Sequence, residues 1–110
     1  MNTQFRKGVI EMCILALIAR RDMYGYEIVQ SIAQYTESAE GTVYPILRRL
    51  EAGGCLTVYS VEHNGRLRKF YRIADGGVRL IDQFLTSWPE ILRIYDLIKE
   101  CAEDDTRAVS

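Results

Sequence analysis

The sequence predicts a mainly α-helical fold with one small β-hairpin (α+β), and three observations lead to that class. Apolar residues recur at helical spacing through most of the first fifty residues and again beyond residue 75. Between these regions two short runs, Leu56 to His63 and Arg66 to Ile73, flank Asn64-Gly65, a dipeptide suited to a tight hairpin because both residues accept φ > 0. At 110 residues the chain is one domain long, and a domain of that size covers its core thinly, so self-association is expected.

The first helix is predicted over Phe5 to Arg20. Val9, Ile10, Met12, Cys13, Ile14, Leu15, Leu17 and Ile18 are too dense for a one-sided surface helix, so two covers are needed, one of them a second subunit. Arg21-Asp22 reads as a turn, after which Tyr24, Ile28, Ile32 and Tyr35 mark a second helix. The small polar stretch Thr36 to Thr42 is expected to be a connection leading into Val43, Ile46, Leu47 and Leu50, the buried row of a third helix. Pro45 is tolerated there if it falls in the first turn, where its missing N–H has no partner to lose, and Gly53-Gly54 ends the helix.

Counting outward from Asn64-Gly65 sets the hairpin register: His63 faces Arg66, Tyr59 faces Phe70, Val58 faces Tyr71 and Leu56 faces Ile73. Leu56, Val58, Tyr71 and Ile73 then share the core side. Asp75 is expected to cap a last helical region, in which Ser87-Trp88-Pro89-Glu90 reads as a capping box that kinks or restarts the helix at Pro89. The expected organisation is a winged-helix body at 1–74, a C-terminal dimerisation helix region at 75–102 and a disordered tail at 103–110.

Composition narrows the function. A hydrophobic fraction of 48% and a charged fraction of 26% fit an ordinary folded domain. No basic leader precedes an apolar run and no stretch approaches the roughly 20 apolar residues of a membrane helix, so a cytoplasmic protein without membrane contact is expected. Cys13, Cys55 and Cys101 are odd in number, lack metal spacing and sit among apolar neighbours, as reduced packed thiols do. His63 is the single histidine, and no carboxylate pair or phosphate-cradling glycine loop accompanies it, so no catalytic residue, metal site or cofactor is expected.

The net charge of −1 conceals an uneven distribution. Residues 1–73 carry a balance of +3 and residues 74–110 one of −4, with six basic residues against two acidic ones within 44–73. Helix, helix, turn, helix, hairpin, helix is the winged helix-turn-helix order, whose third helix enters the major groove. If the apolar row packs inward, Thr42, Tyr44, Pro45, Arg48 and Arg49 are left on or beside the outer face, while Arg66, Arg68 and Lys69 follow the hairpin turn. Such a pair of basic segments suits phosphates and base edges of duplex DNA. The plainer alternatives are a solvated helix face pairing with Glu40 or Glu51 and an edge strand made basic to prevent aggregation. A winged helix turned protein-interaction adaptor, without DNA binding, is the other functional class, and it would predict a neutralised helix and wing.

Four motifs resemble those of the PadR family of transcriptional regulators. They are Phe5-Arg6-Lys7-Gly8-Val9, Tyr24-Gly25-Tyr26-Glu27-Ile28, Gly41-Thr42-Val43-Tyr44-Pro45 with Leu47-Arg48-Arg49-Leu50-Glu51, and Gly65 to Arg72 in the wing. The resemblance implies a homodimeric repressor that binds a palindromic operator, as short members with a single C-terminal helix do. Phe5, Val9, Phe84, Trp88, Ile91, Tyr95 and Ile98 are the expected dimer-interface residues. In some such members a late tryptophan lines an apolar space between protomers that admits flat aromatic effectors; Trp88 matches that position, with simple interface packing as the alternative. The chain departs from the family's Thr-Glu-x-Gly after the wing, having Ala74-Asp75-Gly76-Gly77, and Pro89 after Trp88 is also atypical.

Overall fold

A computed structural model describes residues 2–109, with side chains described for 2–104. Helix α1 (Thr3–Arg20) starts two residues before the apolar pattern, because the Asn2 side-chain oxygen accepts from the Gln4 and Phe5 amides at 2.8 and 3.3 Å. After the turn at Arg21-Asp22 comes a strand absent from the sequence reading, β1 (Met23–Tyr24). Two residues are too few to display an alternating pattern, so its signal lies in tertiary pairing alone. Helix α2 (Gly25–Ala33) follows at once, its first turn capped by Glu27, whose carboxylate accepts from the Tyr24 amide at 3.1 Å.

Helix α3 (Ala39–Ala52) begins within the stretch expected to be a connection. Ser38 takes the left-handed conformation (φ 58°) and turns the chain there without a glycine to mark the place. Pro45 therefore lies inside the helix and not in its first turn. The N–H it lacks would have reached the Gly41 carbonyl. Both residues are exposed, so the freed carbonyl can meet water. The C-terminus closes as a Schellman motif, with Cys55 donating to the Leu50 carbonyl at 2.9 Å, Gly54 to Glu51 at 3.1 Å, and Gly54 at φ 76°.

Strands β2 (Leu56–His63) and β3 (Arg66–Ile73) pair antiparallel in the register counted from the turn, from His63↔Arg66 through to Leu56↔Ile73. β1 joins the other edge of β3, giving the sheet order β1-β3-β2. Ile14, Leu15, Ile18, Ile28, Val43, Ile46, Leu47 and Leu56 are the fully buried centre, where three helices meet the sheet. Each such side chain contributes about 1.5–3 kcal/mol by leaving water.

Helix α4 (Asp75–Val109) is one uninterrupted element that makes the molecule 66 Å long. Asp75 does not cap it: Ala74 stands at the start, accepting from Gly77 and Val78, and Asp75 sits in the first turn, where its charge favours the helix dipole. The predicted restart at Pro89 does not occur, and Ser87 to Glu90 is helical interior. Glu103 and Asp104, assigned by sequence to a disordered tail, continue the helix, since no glycine or proline follows Pro89 to stop it; Ser110 lies outside the described residues. Cys13 and Cys101 are exposed thiols, contrary to the packed positions expected, and only Cys55 is half-buried.

Candidate nucleic-acid interface

The buried row of α3 determines what its other faces present. With Val43, Ile46, Leu47 and Leu50 inward, Pro45 and Arg48 stand exposed on the far side. Neighbouring predicted residues are engaged elsewhere. The Arg49 guanidinium pairs with Glu11 of α1. The Thr42 hydroxyl donates to the Ser38 carbonyl at 3.0 Å and accepts from Arg6 at 3.4 Å. Tyr44 lies half-buried against Gly25, where a Cβ would come within 2.9 Å of its ring, so α2 and α3 cross closely only because residue 25 is glycine. Arg49, Thr42 and Tyr44 thus brace α3, while Pro45 and Arg48 are its open surface.

The wing splits its cations between two faces, because side chains alternate along β3. Lys69 shares the core-side face with Tyr71, its ammonium 5.8 Å from that ring. Burial, foremost, and then the Glu51 charge push the Tyr71 hydroxyl pKa up, while the Arg48 charge pulls it back. Arg66 and Arg68 belong to the opposite face. Arg66 is exposed near the turn, and Arg68 stacks 4.6 Å over the Tyr24 ring. The wing is therefore a ribbon with cations on both sides beside the open surface of α3.

Two groupings escaped the sequence reading. Arg6 of α1 reaches the connection between α2 and α3, donating to the Thr36 hydroxyl at 2.8 Å and the Glu37 carbonyl at 2.6 Å. On the outer sheet face, Asp22 accepts from the Tyr59 hydroxyl at 2.6 Å and from Arg72 at 3.0 and 3.1 Å. Tyr59 stacks on Phe70 and Phe70 meets Tyr24 edge-on, each pair at 5.6 Å, with Arg72 4.9 Å over Tyr59. The hairpin register already paired Tyr59 with Phe70; Asp22 could not be placed beside them without β1.

The Tyr59 hydrogen bond, then that of Arg72, holds the Asp22 carboxyl below the usual carboxylate range, while Asp22 raises the pKa of Tyr59. A depressed carboxyl stabilises the fold above its unfolded pKa, and that stability is lost as pH falls through the folded value; a raised phenol loses its contribution as pH rises through its own. The contact is therefore intact from about pH 5 to about pH 9. In thermal unfolding, Asp22→Asn is expected to lie below the parent at neutral pH and to converge on it below about pH 4. Parallel curves across that range would contradict the assignment.

The remaining predicted residues line apolar surfaces. Phe84 and Trp88 pack on each other at 5.0 Å, both half-buried. Ile91, Tyr95 and Ile98, with Leu92, Ile94 and Leu97, are 41–61% exposed, too bare for a helix covered by its own chain. Phe5 is 60% exposed, and Val9 lies along an apolar groove of about 550 Å³ between α1 and α2 that also takes in Cys13, Leu17 and Ile32. Among the described residues no group of His, Cys, Asp or Glu could hold a metal ion, and no helix is long and apolar enough to cross a membrane.

Three core helices, a sheet ending in a basic hairpin and a projecting last helix define a protein of the winged helix-turn-helix class. Residues 14–83 match the transcriptional regulator PadR-like family. The chain belongs to that family, whose members are transcriptional regulators and not enzymes. It is 40% identical to a protein of Streptococcus mutans of solved structure, covering 83% of this chain and 86% of that one at a TM-score of 0.72. It is 30% identical to a PadR-like transcriptional regulator from Bacillus cereus, covering 87% and 96% at a TM-score of 0.74. Bacillus subtilis PadR, solved in complex with operator DNA, shares the fold at 23% identity and a TM-score of 0.63, over 70% of this chain and 46% of that one.

Proposed function

We propose that this chain is a cytoplasmic homodimeric repressor that binds a palindromic operator in double-stranded DNA and is released by a flat aromatic effector. The observation that carries DNA binding is the unengaged pair Pro45 and Arg48 on the outer face of α3, flanked by a wing bearing Arg66, Arg68 and Lys69. Arg48 suits a base edge in the major groove, and the wing cations suit backbone phosphates on either side of the ribbon. Bacillus subtilis PadR, which shares the fold, was solved in complex with operator DNA, and this supports duplex DNA as the partner. Arg49, Thr42 and Tyr44 serve by holding the angle of α3 and, at their exposed edges, by meeting phosphate.

Dimerisation is supported by the bare apolar side of α4 and by the exposed apolar residues of α1. Packing the Ile91, Tyr95 and Ile98 side of one protomer against Phe5 and Val9 of the other, with Phe84 and Trp88 near the axis, removes both surfaces from water. Two α3 helices then address successive major grooves about one helical turn apart. Replacing Tyr95 and Ile98 together by glutamate is expected to yield monomers in sedimentation equilibrium and to weaken operator binding about 100-fold through lost bivalency. A parent chain that is itself solitary at tens of micromolar would refute the dimer.

Recovery of bound fragments from the source genome, followed by binding to the selected duplex, tests the function directly. Enrichment of one palindromic sequence is expected; recovery of no DNA above background would favour the adaptor class. Quenching of Trp88, the only tryptophan, by a panel of planar aromatics reports the effector. An unchanged spectrum throughout would leave Trp88 as packing.

A further inference from the structure

We propose that Asp22 is a positioning residue for the wing, acting through the aromatic ladder on the outer face of the sheet to fix Arg68 against duplex DNA; this rests on the DNA-binding reading above. An acidic group beside a surface meant for phosphates is unfavourable unless it does something there. Asp22 takes the Tyr59 hydroxyl and the Arg72 fork on one carboxylate oxygen. From Tyr59 the contacts run without a gap through Phe70 to Tyr24, and the ring of Tyr24 carries the Arg68 guanidinium.

The backbone alone holds this corner weakly. β1 pairs with β3 over only Met23↔Tyr71 and Tyr24↔Phe70, and two-stranded ribbons twist easily. The stacked side chains supply what the short strand lacks. They also link the corner between α1 and α2 to Arg68, a cation three residues beyond Gly65. Arg68 is thereby held over an aromatic ring, a contact that uses none of its N–H donors and leaves them for a phosphate.

The test separates positioning from charge because the two predict opposite signs. Asp22→Asn removes a negative charge, so a bystander acid would give equal or tighter binding to a fluorescein-labelled random-sequence DNA duplex. Positioning gives weaker binding, by about threefold to tenfold, and no further loss when introduced into Arg68→Ala. Asp22→Glu, which keeps the carboxylate, is expected to recover part of the affinity, and Tyr59→Phe to lose affinity while retaining the ring stack. Equal or tighter binding by Asp22→Asn, or full additivity with Arg68→Ala, overturns the proposal.

Hydrogen exchange of the amides in residues 56–73 needs no DNA and distinguishes the two failures. If the parent itself does not bind duplex, the DNA reading fails and the wing has no such partner to be positioned for. Faster hairpin exchange in Asp22→Asn would then still identify the ladder as the wing's tether, whereas unchanged exchange overturns the role of Asp22 whatever the parent binds.

Discussion

Replacing Arg48 and Arg68 together by alanine is expected to weaken duplex binding about 100-fold and to lower the slope of log affinity against log salt by about 1, with little change in thermal stability. Arg48 is exposed on α3 and makes no ion pair, so its truncation leaves no orphaned partner. Arg68 gives up its contact with the partly exposed Tyr24 ring, worth about 0.5–1 kcal/mol, and its attraction for Glu27. The same experiment on Arg49 should read differently. Loss of Arg49 releases Glu11, so its effect should appear in stability as well as in affinity. Parent-like affinity and salt slope in the double variant would remove α3 and the wing as the DNA-binding surface.

Gly77→Ala is expected to destabilise the chain by about 3 kcal/mol, lowering the unfolding midpoint by about 15 °C. A Cβ at residue 77 would stand inside the contact radius of the Cys55 carbonyl oxygen, 2.8 Å from Ile73 Cγ1 and 3.1 Å from Leu15 Cδ2. The carbonyl cannot give way cheaply, because it accepts the Ala74 amide at 3.0 Å. Gly8→Ala is the matched control. Nothing lies within 4 Å of its Cβ position in the exposed interior of α1, so there the substitution should add about 0.5–1 kcal/mol by helix propensity. Equal effects at the two positions would disprove the close approach.

What could be read from the sequence was whatever short-range chemistry determines. Asn64-Gly65 allows one two-residue turn, and every hairpin pairing follows from it. The row Val43, Ile46, Leu47 and Leu50 identifies the inward side of α3, and hence that Arg48 faces out, wherever the helix begins. What could not be read depends on distant partners. β1 exists because β3 is there to receive it. Ser38 adopts a positive φ that nothing in its neighbours announces, which moved the start of α3 and the standing of Pro45. Arg49 and Arg48 look alike in one dimension, and only the approach of Glu11 from α1 assigns one to bracing and leaves the other open. The Thr-Glu-x-Gly departure matters less than the motif comparison implies, since the final Gly77 is retained where α4 meets the Cys55 backbone.

The contact that admits no side chain at Gly77 makes the last helix a lever with a stiff fulcrum. Its 35 residues extend about 50 Å, so a tilt of about 5° at the Gly76-Gly77 joint carries the far end about 4 Å. With the fulcrum seated on Gly54 and Cys55, directly after α3, whatever grips the shaft of α4 also steers the reading head.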